Sequence, residues 1–352
     1  MNINRNHKNH HACFNSSRVL IMMLAVLCCL FPLAASGLDQ NPTNSTLPTI
    51  PPSLDNTNPS YHMGNNGWWF LSSELKHLQT ATEAAGHPDD TVISGIGDFS
   101  QYLNSLGIHL LVVPIPEKSL VRMDQILPTS DLQAGKNYLL ATGRYTSALS
   151  AAGVDVLDLS NQLIAEVASE STHKDPVYCK TDSHYTSRTA NLIATWICEH
   201  VKKSMPQLIQ KNDASPILGP KKEITIQGDL CQKKTENLQV VEVTSPTPSL
   251  TPNATPKDSA MVLMGDSHCL VFSSGGDMLA KGAGLPDYLG VEFGTMPTLV
   301  AQRGGAKNSR IEFIRKSRKN KDFLGNVKLV VWCFAARELT QGDKWSPLQY
   351  PR

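Results

Sequence analysis

Three short, almost uninterrupted apolar runs set the tightest limit on what this chain can fold into. They are Ile108 to Val113, Met261 to Met264 and Val327 to Phe334. None shows the strict alternation of a strand with one wet face, and each is too short for a helix that buries a stripe. Strands apolar on both faces belong to parallel sheets covered by helices on either side. The intervening sequence supplies such helices. Phe99 to Leu106 is amphipathic and stops at Gly107, and Arg144 to Ala152 is helical up to Gly153, with a further strand from Val154 to Leu159. Thr186 caps a helix reaching about Lys203, with Ala190, Ile193, Ala194 and Ile197 on one face. The expected fold is therefore α/β, a mainly parallel sheet flanked by helices, in a single domain.

Residues 63–345 carry that pattern, opened by the turn and aromatic strand of Gly64-Asn65-Asn66-Gly67-Trp68-Trp69-Phe70-Leu71. Ahead of it, Arg5, Lys8 and Arg18 precede an uncharged apolar stretch from Val19 to Leu33, and small residues follow at Ala34-Ala35-Ser36-Gly37. Residues 1–36 thus read as a signal peptide or signal anchor, which predicts an exported protein with a membrane attachment in the uncleaved case. Residues 37–62, rich in Pro, Asn, Thr and Ser, form a flexible linker. A Pro/Thr-rich loop at about 243–258 interrupts the domain. With 32 Lys and Arg against 31 Asp and Glu, the net charge of +1 gives no field for nucleic acid. Of the 8 cysteines, Cys179, Cys198, Cys231, Cys269 and Cys333 lie beyond the signal; their odd number leaves one unpaired, and their spacings match no zinc motif.

Two strings carry the chemistry. Gly265-Asp266-Ser267-His268 follows the strand Met261 to Met264, which places the Ser267 hydroxyl at the carboxyl edge of the sheet, where open α/β folds hold their sites. Thr181-Asp182-Ser183-His184-Tyr185-Thr186 offers an Asp-x-His pair whose side chains share a face in an extended stretch. A neutral serine needs an adjacent base, and that base needs an orienting partner. Ser267 is accordingly the candidate nucleophile, His184 the base and Asp182 its orienter. A helix starting at Ser267 or His268 would turn its free amides toward an oxyanion. Asp266 reads as a turn or cap residue, and His268 as secondary. The competing reading of each string alone is a turn with a capping serine or threonine. A metal site built from Asp182, His184, Asp266 and His268 is a further alternative, since those ligand types suit zinc or manganese.

The string Tyr178-Cys179-Lys180-Thr181-Asp182-Ser183-His184-Tyr185-Thr186 resembles the Asp-Thr-His-Trp-Thr signature of the alginate O-acetyltransferase family of AlgX and AlgJ, which are SGNH-hydrolase-like proteins. Gly265-Asp266-Ser267 resembles the family's nucleophile string. Further matches to the family are, in order, Gly67 to Leu71, Gly107 to Lys118, Gly228-Asp229-Leu230 and Val330 to Glu338. The resemblance runs from about Gly64 to Leu339. Tyr185 stands where the family has Trp and Ser183 where it has Thr, both keeping the chemical type. The chain ends at Arg352, so no carbohydrate-binding module is expected after the domain.

The resemblance implies acetyl transfer to hydroxyls of an exported, alginate-like polysaccharide through an acetyl-serine at Ser267, in the periplasm. It implies no cofactor or metal, a polysaccharide acceptor, and an acetyl donor supplied by a membrane acyltransferase. Arg303, before Gly304-Gly305, and Lys118 are the candidate contacts to an anionic sugar, and Arg337 a structural ion-pair member. Two alternatives stay open: an esterase using the same triad, and a non-catalytic polysaccharide-assembly component.

Overall fold

The computed structural model describes residues 60–80, 88–126, 133–244, 259–340 and 345–350. The export segment, most of the linker and the Pro/Thr-rich stretch beyond Thr244 lie outside the described residues. The first described strand is β1 (Tyr61–Met63), antiparallel to β2 (Trp69–Leu71). Tyr61 earns this place by packing edge-on against Trp69, with ring centroids 5.8 Å apart. At the other end Tyr350 stacks on Tyr102, with ring centroids 4.8 Å apart.

Helix α1 (Ser72–Thr80) is followed by α2 (Asp90–Ser105), which begins earlier than expected because Asp89 caps it by accepting from the Thr91 amide. Next come β3 (His109–Ile115), the single turn α3 (Lys118–Val121), α4 (Gln133–Ala151), β4 (Asp155–Val156), α5 (Ser160–Ser169) and α6 (Ser187–Lys202). Of the strand expected over Val154 to Leu159, only Asp155 and Val156 pair. Strands β5 (Ile217–Gln227) and β6 (Thr235–Thr244) form a separate antiparallel ribbon. The chain then returns to the main sheet through β7 (Met261–Gly265), α7 (Leu285–Phe293), β8 (Thr298–Ala301), α8 (Ala306–Lys319), β9 (Leu329–Ala335) and α9 (Arg337–Thr340).

The main sheet has the order β4-β3-β9-β7-β8, and all of its pairings are parallel. Its side chains divide by the strand period of two. Leu111, Val113, Leu263, Val331 and Cys333 enter a core cluster on one face, and Leu110, Val112, Val262, Met264, Val330 and Trp332 enter a second on the other. Each fully buried Val or Leu contributes about 1.5–3 kcal/mol, which explains why these runs are apolar throughout. Because the central strands are parallel, their carboxyl ends converge on one edge. Lys118 follows β3, Arg337 follows β9, Ser267 follows β7 and Arg303 follows β8. Among the described residues no helix is long and apolar enough to cross a membrane.

Candidate active site

Ser267 sits two residues beyond Gly265, where β7 ends. The turn is a single 3₁₀ turn, Ser267–Cys269, rather than the helix expected there. Asp266 caps it by accepting from the His268 amide at 2.9 Å, and its other oxygen takes the Ala335 amide at the end of β9 at 2.8 Å. The turn cannot extend into a helix because Phe272 adopts a left-handed φ of 59° shortly afterwards. Gly265 is required by close approach: a Cβ there would lie 1.7 Å from the Cys333 carbonyl oxygen.

Asp182 and His184 lie at the tip of a loop between α5 and α6. Tyr178 and Tyr185 close its base as an antiparallel bridge, and Thr186 caps α6 immediately after. The segment is a tight turn, not an extended stretch. Asp182 Oδ1 accepts from both the His184 amide, at 2.9 Å, and His184 Nδ1, at 2.8 Å. His184 Nε2 stands 2.8 Å from Ser267 Oγ. Carboxylate, imidazole and hydroxyl thus form one hydrogen-bonded line.

Asp229, which the sequence reading did not single out as a site residue, holds that line from outside. Its amide donates to Asp182 Oδ2 at 3.0 Å, and its carboxylate accepts from the Ser183 amide and hydroxyl, each at 2.7 Å. The string Gly228-Asp229-Leu230 was the available signal, but its partner lies 47 positions away in sequence. Asp182, His184 and Asp229 have ligand atoms within 4.8 Å of one another, whereas Asp266 and His268 do not join them. The four-residue metal site considered from sequence is therefore not assembled. Within the cluster His184 Nδ1 and Nε2 are already engaged by Asp182 and Ser267, and both Asp229 oxygens by Ser183.

Burial opposes ionisation of Asp182, but its hydrogen bond and charge interaction with His184 win and hold it at about 2. Burial likewise opposes the imidazolium of His184, yet Asp182, with Asp229 and Asp266 behind it, raises its pKa. A second pair, Asp266 and His268, repeats the same local geometry, with His268 Nδ1 at 2.9 Å from Asp266 Oδ1. The two imidazoles meet edge to face with centroids 5.2 Å apart. Burial lowers the pKa of His268, against the raising effect of Asp266 beside it. With His184 as the expected base, activity should rise with pH as His184 deprotonates. The midpoint of that limb in kcat/KM for a small acetyl ester should lie above the ordinary imidazole value of about 6.5. A pH–rate profile with its rising limb centred below that value would contradict the assignment.

A cavity of about 730 Å³ opens over His184 and Ser267, walled by Thr225 to Asp229 and Gln232 of the ribbon and by Gly276 to Leu279. Arg303 stands on its rim, exposed, in a two-pronged ion pair with Asp277 at 2.5 and 2.6 Å. Lys118 is placed elsewhere and is not a contact to sugar. Its ammonium is buried, donates to the carbonyls of Lys180 at 3.1 Å and Asp182 at 2.8 Å, and lies over the rings of Trp68 and Phe70. Burial lowers its pKa to about 8. The aromatic string near the start of the domain therefore supports the lysine that grips the Asp182 loop. Arg337 pairs with the buried Glu74 at 3.2 Å. Cys179, Cys198, Cys231, Cys269 and Cys333 are all buried and unpaired; Cys269 approaches the Cys333 carbonyl.

Residues 62–336 match the family described as ALGX, an SGNH hydrolase-like domain of the acetyltransferase AlgX. The chain belongs to this acetyltransferase family. Its fold is similar to the O-acetyltransferase domain of Pseudomonas putida AlgJ, with 17% identity and a TM-score of 0.57, covering 83% of this chain and 96% of that one. It is also similar to Pseudomonas aeruginosa AlgX, with 19% identity and a TM-score of 0.56, covering 81% of this chain. The match spans 65% of that AlgX structure. No curated protein matches the sequence. Within the AlgX family, then, this chain supplies an SGNH-hydrolase-like α/β domain of the acetyltransferase class.

Proposed function

We propose that this domain transfers acetyl groups to hydroxyls of an exported, anionic, alginate-like polysaccharide through an acetyl-Ser267 intermediate. The observation that supports this reading most is the line Asp182–His184–Ser267 opening on a cavity with an arginine on its rim. His184 Nε2 takes the hydroxyl proton as Ser267 Oγ attacks the acetyl carbonyl of the donor ester. Collapse of the tetrahedral intermediate breaks the donor's C–O bond, and His184 returns the proton to the leaving oxygen. In the second half-reaction a sugar hydroxyl gives its proton to His184 as its oxygen attacks the acetyl-serine. The acetyl group passes to the sugar and Ser267 Oγ recovers the proton. Asp182 orients the imidazole and stabilises its charge without taking the proton.

Arg303 meets the carboxylate of the acceptor. Its pair with Asp277 is exposed, and such pairs are weak enough to be exchanged for a ligand carboxylate. The reaction needs no metal or cofactor. Residues 1–36 carry the domain to the periplasm, cleaved or as an anchor in the inner membrane, and a membrane acyltransferase supplies the acetyl donor. Incubation with an activated acetyl ester and an oligouronate tests the reading. Acetylated sugar, found by mass spectrometry, should accumulate at the expense of free acetate. Acetate release that is undiminished by several oligouronates, with no sugar modified, would replace the transferase with an esterase. No ester turnover at all would favour the non-catalytic assembly role.

A further inference from the structure

A second cavity, of about 290 Å³, lies away from Ser267 between the first turn of α6, the loop before it and the ribbon. It approaches the size of a small ligand pocket. Lys174, Asp175, Arg188, Asn191, Lys221 and Gln239 are among its lining residues. Two of them hold polar atoms that are buried and without a partner: Arg188 Nη1, a donor, and Asp175 Oδ1, an acceptor. Arg188 uses Nη2 on Glu166, and Asp175 uses Oδ2 on the Gln239 amide, so in each case one half of the group is committed and the other faces no protein partner. Asp175 is only 5% exposed, and leaving such atoms unmatched is unfavourable unless a guest completes them. Lys221 is exposed and enters no ion pair among the described residues.

The two orphan atoms call for different things. A plain anion would satisfy Arg188 and Lys221 but be repelled by Asp175. A ligand with a carboxylate for the cations and a hydroxyl for Asp175 satisfies all three, and a uronate unit carries both groups. The ribbon also links this cavity to the one over Ser267. Lys221 lines the second cavity and Thr225 the first, both on β5, and four residues of strand separate them by about 13 Å. A polymer lying along β5 would reach both.

We propose that this cavity is an acceptor subsite that binds a uronate of the same chain whose hydroxyl is acetylated at Ser267. It rests on the transferase reading, but its test does not depend on turnover. The full chain carrying Ser267→Ala would be titrated calorimetrically with a long oligouronate, with a neutral oligosaccharide of equal length, and with inorganic phosphate. Added Lys221→Glu should weaken the oligouronate by about tenfold, as loss of one charge-assisted contact predicts. Asp175→Asn keeps the bond from Gln239 but turns the orphan acceptor into a donor, and should weaken it similarly; thermal unfolding confirms that each variant folds. The neutral sugar should bind far more weakly and be insensitive to either change, and phosphate should bind far more weakly than the oligouronate. Equal oligouronate affinity in all three proteins overturns the subsite, and so does phosphate displacing the oligouronate from it. Separately, Ser267-dependent turnover of a small ester by the wild-type chain reports on the relay, so failure there is distinguishable from failure here.

Discussion

Ser267→Ala and His184→Ala should each reduce turnover of an activated acetyl ester on the order of 10⁴-fold or more, and the double variant should be scarcely worse than either. The near-identity of the three losses is the informative part. His184 Nε2 is 2.8 Å from Ser267 Oγ, so each group's contribution passes through the other. Removing the hydroxyl leaves the base nothing to activate, and removing the imidazole leaves a neutral serine. Asp182→Ala should be about 10- to 100-fold less severe, because the ring can still act as a base once its orienting carboxylate is gone. Mass spectrometry of the wild-type chain after incubation with ester should place an acetyl mark on Ser267. Activity that persists in Ser267→Ala but disappears with a chelator would assign the chemistry to a metal held by Asp182, His184 and Asp229 instead.

The parts legible in the sequence are those fixed by local pattern. Parallel central strands announce themselves as apolar runs because both of their faces are covered, as Leu110 and Leu111 on β3 show by entering opposite cores. Once β7 is placed, Ser267 at its carboxyl end follows, and an Asp two residues before a His is a local arrangement. Even there the geometry differs from the expectation: Asp182 reaches His184 through a tight turn clipped at Tyr178 and Tyr185, not through alternation in a strand. The β5–β6 ribbon was hidden because its apolar positions, Ile224 and Ile226 against Leu238 and Val240, are few and set among Lys, Glu, Gln and Thr.

What sequence could not reveal is contact between distant segments. Lys118 after a strand looks like an exposed cation, yet Trp68 and Phe70, placed by the separate β1–β2 hairpin, bury it against the Asp182 loop. Asp229 is equally non-local. In both cases the residue type was visible and the partner was not, so the side chains that hold the relay in register were read as surface or left unread. The same limit applies to the orphan atoms of Arg188 and Asp175, which only the packing of α6 against the ribbon defines.

Gly228→Ala should lower turnover by about two orders of magnitude, through the backbone rather than through a reacting group. A Cβ at position 228 would lie 2.1 Å from the Thr181 carbonyl oxygen and 2.6 Å from the Asp182 amide nitrogen, both backbone atoms that cannot swing aside. The ribbon and the relay loop meet here: Leu230 donates to the Thr181 carbonyl at 3.1 Å, and the Asp229 amide to Asp182 Oδ2 at 3.0 Å. Adding a methyl group must push the two segments apart, which breaks those bonds and tilts His184 away from Ser267. A displacement of about 1 Å costs on the order of 10² in rate when the geometry of attack is what the site supplies. The expected result is therefore a loss of at least that size in kcat, with a smaller change in KM, in a protein that still folds because the main sheet is untouched. Asp229→Ala serves as the comparison. It keeps the backbone amide on Asp182 and loses only the clamp on Ser183, so it should retain clearly more activity than Gly228→Ala. Wild-type kcat in Gly228→Ala would show that the ribbon does not position the relay.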